Sequence, residues 1–536
     1  MSGLNVPLTP LRFLERAAEV HPDKTAVIDG ERSWTYAQFA EHTQRMARAL
    51  HASGVRAGDT VVFLGTNSAE LLTAHYAVPL LKAALVAVNT RLSPEEISYI
   101  CRHSSAVMIL GDGNLLGPLS GTDLADVRER IEIPAQDGSL LQVQEAVGYA
   151  DFLSRAAGND TQYPWEVDDE DRVIAINYTS GTTGRPKGVM YTHRGAYLSS
   201  LGEVHHQGFT TSSRYLWTLP MFHCNGWCTT WAVTAASALH VCLRTVRAET
   251  MWALIDDQEI THLCGAPTVL TTLASSPKAH PLDNPLTIVT AGAPPTPSII
   301  SRIRDLGAEL LHVYGLTETY GPYAVCEPQP VWADTLDSEQ HASLLSRQGV
   351  GMLTSERVRV VRPEPGPDGA LIDVPADATE MGELVMRGNS VMKGYLDDPE
   401  GTAEAFRGGW FHSGDLGVMH PDGYVQILDR AKDVIISGGE NISTIEVEQA
   451  LASHPAVTGV AVVGTPDPTW GERPLAFVVT DGNQISEAEL ITHVRSKIAA
   501  YKVPDRIEFR TQLPTTSTGK IRKNILRDHA SAPASA

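Results

Sequence analysis

A chain of 536 residues with 43% hydrophobic content and a formal charge of −21 reads as a soluble globular protein, too long for one core, so two or more domains are expected. The acidic balance excludes nucleic acid and anionic membrane surfaces as partners, because both require basic patches. No run of about 18 apolar residues exists for a membrane span, the N-terminus lacks a basic stretch followed by an apolar one, and six scattered cysteines suit a reducing cytoplasm.

From the N-terminus to about residue 316, strand and helix signals alternate. Residues 59–64 form a short β-branched run, 67–83 carry a helical pattern opened by a capping Asn or Ser, and 106–110 form another strand. The alternation returns with strands at 173–176, 215–217, 261–263, 286–289 and 310–313, and helices at 251–258 and about 297–306. Such order predicts parallel sheets flanked by helices, with ligands beyond the carboxyl ends of the strands. Between Gly349 and Gly394 the pattern changes to short strands separated by Pro, Gly and Asp turns, which predicts a small β-rich subdomain. A compact α+β segment of about 100 residues follows, the low end for an independent domain. The Ala/Ser/Pro tail is expected to be disordered.

Residues 178–188 concentrate hydroxyls, glycines and one lysine behind a buried strand. Glycines let backbone N–H groups approach a ligand, hydroxyls add donors, and Lys187 supplies a point charge suited to phosphate. The spacing is not that of a P-loop. The run YTSGTTGRPKGV (178–189) resembles, position for position, the ATP-binding signature of the adenylate-forming superfamily of acyl-CoA synthetases, aryl-CoA ligases, luciferases and adenylation domains. That resemblance assigns ATP or AMP binding to Thr179, Ser180, Gly181, Thr182, Thr183, Gly184 and Lys187, with Thr183 a further magnesium contact.

Further segments match the superfamily in order. YGLTE (314–318) implies Tyr314 on adenine beside Gly315, Thr317 donating to a phosphate, and Glu318 as the Mg²⁺ carboxylate. AGAP (291–294) implies that Gly292, Ala293 and Pro294 border adenine and the acyl group. WFHSGD (410–415) implies Asp415 on the ribose hydroxyls, joined there by Arg430. In DRAKD (429–433) Lys432 falls at the hinge, and LPTTSTGKI (513–521) carries the catalytic lysine, Lys520, a cation for two approaching anions. Ser437, Gly438, Gly439, Glu440, Trp470 and Glu472 resemble the segments that receive CoA.

PMFHCNGW (220–227) resembles the segment where His223 gates the acid's carboxylate. Trp227 lies four residues on, so a helix there would turn both the same way, and Trp227 with Gly292 and Gly315 would line a short acyl pocket. Zinc is not expected at Cys224 and Cys228, whose spacing has no second pair.

The fold class implied is α/β. It comprises a large N-terminal domain of layered parallel sheets (1–430, β-rich from about 345), a hinge at 431–433, a mobile α+β C-terminal domain (434–529) and a tail (530–536). The activity implied is an ATP- and Mg²⁺-dependent acid–CoA ligase that works through an acyl-adenylate, most like the short- and medium-chain, aryl and methylmercaptopropionate branch. The partners are a small carboxylic acid, ATP and CoA, and a homodimer is left open. Two alternatives stand beside it: delivery to a carrier protein, amine or nitrogen oxyacid, and a silent nucleotide-binding scaffold.

Overall fold

The computed structural model describes residues 4–531 apart from 180–184, 293, 294, 296, 336, 337, 438, 439, 468, 483, 484 and 517–520. Two large mixed sheets form the bulk of the chain. The eight-stranded sheet runs Gly394–Tyr395, Gly188–Thr192, Val173–Tyr178, Ala84–Ala87, Thr60–Leu64, Ala106–Asp112, Glu129–Ile133, Ala146–Gly148. The nine-stranded sheet places Ala308–Leu316, Leu286–Thr290, His262–Gly265 and Arg214–Leu216 side by side in parallel, with Gly321–Val325 antiparallel on Ala308–Leu316.

Between the sheets lies the helix Ala69–Leu80, capped by Ser68 and buried at every residue. It touches Thr25–Asp29 of one sheet and Thr60–Leu64 and Ala84–Ala87 of the other. A helix apolar on all sides is stable only in such a layer, where both flanks are covered.

A four-stranded antiparallel sheet (Arg359–Val361, Gly382–Met386, Phe411–Met419, Val425–Arg430) precedes the C-terminal unit. Gly394–Tyr395 falls in the stretch that reads as β-rich, yet it pairs with Gly188–Thr192 and extends the eight-stranded sheet instead. The C-terminal unit is a five-stranded sheet built on the long hairpin Val457–Asp467 and Gly471–Thr480. Its own apolar core includes Ile435, Val447, Leu451, Val462 and Leu490.

The alternation places the parallel strands Thr60–Leu64, Ala106–Asp112, Leu286–Thr290 and Ala308–Leu316, and does not mark Ala84–Ala87, Glu129–Ile133 or Leu239–Val241. Within the two large sheets, antiparallel pairing includes the two strand pairs that frame the site: Val173–Tyr178 returns as Gly188–Thr192, and Ala308–Leu316 returns as Gly321–Val325. The hydroxyl- and glycine-rich segment is therefore the tip of a hairpin, and both hairpins open at the carboxyl ends of parallel strands.

Candidate active site

The hairpin base is closed by a reciprocal pair. The Thr179 N–H donates to the Lys187 carbonyl at 3.0 Å, and the Lys187 N–H donates to Thr179 Oγ1 at 3.2 Å. Ser180, Gly181, Thr182, Thr183 and Gly184 lie outside the described residues, as do Ala293, Pro294, Gly438, Gly439 and Lys520. Lys187 projects back from the hairpin: its ammonium sits 3.0 Å from Asp398 Oδ2 and 4.4 Å from the centre of the Tyr395 ring.

Tyr314, Asp415 and Arg430 come together although 101 residues separate the first two. The Tyr314 hydroxyl donates to Asp415 Oδ2 at 2.7 Å, and Arg430 Nε lies 3.1 Å from Asp415 Oδ1. Asp415 and Arg430 are direct cross-strand partners, which is why two motifs distant in sequence meet face to face. Burial pushes the Tyr314 hydroxyl's pKa well above its ordinary value, and the Asp415 carboxylate raises that of Arg430. The cluster is a fixed hydrogen-bonding platform of one anion between a donor hydroxyl and a cation.

Glu318 lies on a short turn (Thr317–Thr319) between the strands of the second hairpin. Burial raises its pKa, and the Tyr395 hydroxyl donates to its Oε1 at 2.9 Å. Thr317 is held from two sides. Its carbonyl accepts the Tyr191 hydroxyl at 2.6 Å, and its Oγ1 faces Cys224 Sγ at 3.9 Å. Gly315 has a packing reason to be glycine, because an added Cβ would fall 1.8 Å from the Gly321 carbonyl oxygen. Gly292 is the opposite case. Its φ is +91° and an added Cβ would meet nothing within 4 Å, so the backbone demands glycine and the space before it is open.

The segment after His223 corrects the helical expectation. Cys224, Asn225, Gly226, Trp227 and Cys228 all have positive φ, between +51° and +61°. They make one left-handed turn, so the helical spacing argument for His223 and Trp227 does not apply there. Left-handed backbone costs an L-residue about 1–2 kcal/mol, and long-range contacts on every side hold it. Asn225 Oδ1 accepts from Asn177 Nδ2 at 2.7 Å, Cys228 Sγ approaches the Tyr320 carbonyl at 3.6 Å, and the Trp227 indole packs against Gly321. His223 is half-buried and its carbonyl accepts from Gly226 and Trp227 N–H. Trp227 is 5% exposed, whereas Trp231 packs deeper and reaches the His75 carbonyl. All six cysteines are free and buried.

In the C-terminal unit Ser437 accepts from Arg473 at 3.3 Å, and Glu472 Oε2 accepts the Ile436 N–H at 3.0 Å. Glu440 is exposed and the Trp470 indole is 55% exposed. Lys432 is on the surface with its pKa lowered mainly by burial, and the next residue, Asp433, is gripped by Arg527 from the C-terminal helix. Thr515 bridges to Ile521 across residues 517–520, and Arg91 Nη1 donates to the Thr516 carbonyl at 3.4 Å. Arg91 lies just beyond Ala84–Ala87, the parallel neighbour of Val173–Tyr178. Thr516, on one side of the segment holding Lys520, thus meets Arg91, which follows a strand next to the one that leads into the glycine- and hydroxyl-rich hairpin.

Reading motifs did not find Tyr395, Asp398, Tyr191 or the Asn177–Asn225 pair. Their partners are remote in sequence, and no local spacing marks them.

Residues 14–396 match the AMP-binding enzyme family, and residues 446–520 match the AMP-binding enzyme C-terminal domain. The chain is 42% identical over 552 residues to an acetate–CoA ligase of Humulus lupulus, covering 98% of this chain and 94% of that protein. It is 41% identical to a peroxisomal acetate/butyrate–CoA ligase of Arabidopsis thaliana, with the same coverage. The crystal structure of ATP-bound MatB from Rhodopseudomonas palustris superposes with a TM-score of 0.83 at 27% identity, covering 97% of this chain and 98% of that one. With its sheets, its paired hairpins and both matches in place, the chain belongs to the AMP-binding enzyme family.

Proposed function

We propose that the protein is an AMP-forming carboxylic acid–CoA ligase. The observation that carries this reading is the Tyr314–Asp415–Arg430 cluster, with Glu318 close enough to act on the Arg430 charge and tied through Tyr395 to Lys187, in a chain about 40% identical over nearly its full length to acid–CoA ligases. Asp415 accepts the ribose hydroxyls, Tyr314 borders adenine, and Lys187 and Thr179 with residues 180–184 receive the phosphates. Glu318 fits Mg²⁺: it is a hard carboxylate at the phosphate end, and Mg²⁺ is held by one or two carboxylates plus substrate phosphates. When bound, Mg²⁺ neutralises phosphate charge as pyrophosphate leaves.

The acid's carboxylate oxygen attacks the α-phosphorus, pyrophosphate departs, and the CoA thiolate then attacks the acyl carbonyl and releases AMP. Arg91 against Thr516 supports placing Lys520 at the α-phosphate in the first step. The second step requires the C-terminal unit to turn about Lys432, so that Ser437, residues 438–439 and Glu440 border the pantetheine arm and the exposed Trp470 meets the CoA nucleotide. Gly439→Leu is expected to fill that path: acyl-adenylate accumulates while thioester yield falls. Equal losses of pyrophosphate and thioester would remove this turn from CoA binding.

The substrate class is a short- or medium-chain or aryl acid, within fatty acid metabolism in the cytoplasm. The left-handed turn packs the Trp227 indole against Gly321, next to the Thr317–Thr319 turn that carries Glu318, and on this reading the indole shortens the acyl pocket. Trp227→Phe is expected to shift preference toward longer acids, by about fourfold in kcat/KM per methylene accommodated, from roughly 0.8 kcal/mol per buried CH₂. A series from propionate to decanoate with benzoate and cinnamate checks this, and an unchanged ranking would take Trp227 out of the pocket. The activity itself is tested by screening the same acids for pyrophosphate release with and without CoA.

A further inference from the structure

The two charges that face the phosphates are tied to each other through a residue outside every motif named above. Tyr395 sits on the edge strand Gly394–Tyr395, paired in register with Val189 two residues beyond Lys187. Its hydroxyl donates to Glu318 Oε1 at 2.9 Å, and the face of its ring lies 4.4 Å from the Lys187 ammonium. The same ammonium is 3.0 Å from Asp398 Oδ2, while Asp398 Oδ1 caps the helix Pro399–Ala405 by accepting the Gly401 N–H at 2.8 Å. Short links therefore run from the carboxylate through the phenol to the lysine and its counter-ion. One end of each link is a group that a metal–triphosphate complex would compete for.

We propose that Tyr395 is a positioning residue for metal–nucleotide binding and that Asp398 is the counter-ion Lys187 exchanges for phosphate. The phenol hydroxyl occupies Oε1 of Glu318 and leaves Oε2 directed at the incoming cation. Hydrogen bonds that orient a metal-binding carboxylate change metal affinity severalfold or more when removed. The ring face holds the ammonium beside the hairpin by cation–π attraction. Asp398 neutralises that ammonium until the triphosphate, with its greater charge, displaces it. The inference rests on the nucleotide-binding reading above and adds residues to it.

The test is calorimetric binding of ATP to the full chain without acid or CoA, in Mg²⁺ and separately in EDTA. Tyr395→Phe keeps the ring and loses only the hydroxyl. It is expected to raise the Mg²⁺ concentration needed for tight ATP binding by about tenfold, with ATP binding in EDTA unchanged. Asp398→Asn keeps the helix cap and removes the charge. It is expected to tighten ATP about two- to fivefold in both media, the range of an exposed ion pair. A Tyr395→Phe curve that superimposes on the parent's in Mg²⁺, or one displaced equally in EDTA, overturns the positioning role. Unchanged or weaker ATP binding by Asp398→Asn overturns the counter-ion role. If the unaltered protein binds no ATP, the nucleotide reading itself fails, which keeps the two failures distinct.

Discussion

Lys520→Ala is expected to lower acyl-adenylate formation by on the order of 10²-fold or more, the loss that follows removal of one preorganised transition-state donor or cation. Its reaction of CoA with presupplied acyl-adenylate should stay within a few-fold of the parent. The asymmetry follows from the chemistry. Only in the first step do a carboxylate and an α-phosphate approach each other, and only there must added negative charge be met. Thr516, which precedes that segment, accepts a hydrogen bond from Arg91 in the N-terminal part of the chain, which supports placing this segment near the nucleotide. Separate single-turnover assays of each half-reaction decide the matter. Equal losses in both would make Lys520 structural.

Asp415→Ala is expected to raise the ATP KM and the AMP dissociation constant by roughly 10²-fold, since hydrogen bonds to a charged group contribute about 1.5–3 kcal/mol and Asp415 is proposed to accept those of the ribose. The side chain of Asp415 is only 5% exposed, and its loss strands the Arg430 guanidinium and the Tyr314 hydroxyl. Asp415→Asn retains an acceptor for one of the two and should lose less. The ordering of parent, Asn and Ala in AMP binding, alongside thermal melting of each, separates ligand contact from stability. A melting shift with unaltered AMP affinity would mean that the cluster serves the fold and not the ribose.

Much of this was legible before any coordinates. Parallel strands such as Ala106–Asp112 and Leu286–Thr290 are short apolar runs bounded by turns, and the helix Ala69–Leu80 is marked by its capping Ser68. The motif strings were also readable, because residues such as Thr179, Lys187, Tyr314 and Asp415 belong to local runs rich in small and polar residues. Three features were not. The handedness of the turn after His223 is set by contacts with Asn177, Thr317, Tyr320 and Gly321, and only Asn225 and Gly226 favour that backbone locally. Tyr395 reaches Glu318 because a two-residue strand joins a sheet whose other strands end some 200 positions earlier. The Asn177–Asn225 bond likewise joins the end of a strand to the left-handed turn, which only the tertiary fold brings together. Local pattern fixes element type, whereas these pairings depend on which edges meet.

The central claim is that an acid is joined to CoA at the expense of ATP cleaved to AMP and pyrophosphate. The most direct measurement follows AMP, pyrophosphate and acyl-CoA together in one incubation with ATP, Mg²⁺, CoA and a short acid such as acetate or butyrate. Equimolar appearance of all three, abolished when the acid is left out, is the expected result. AMP and pyrophosphate without thioester, or ADP and phosphate in their place, would contradict it.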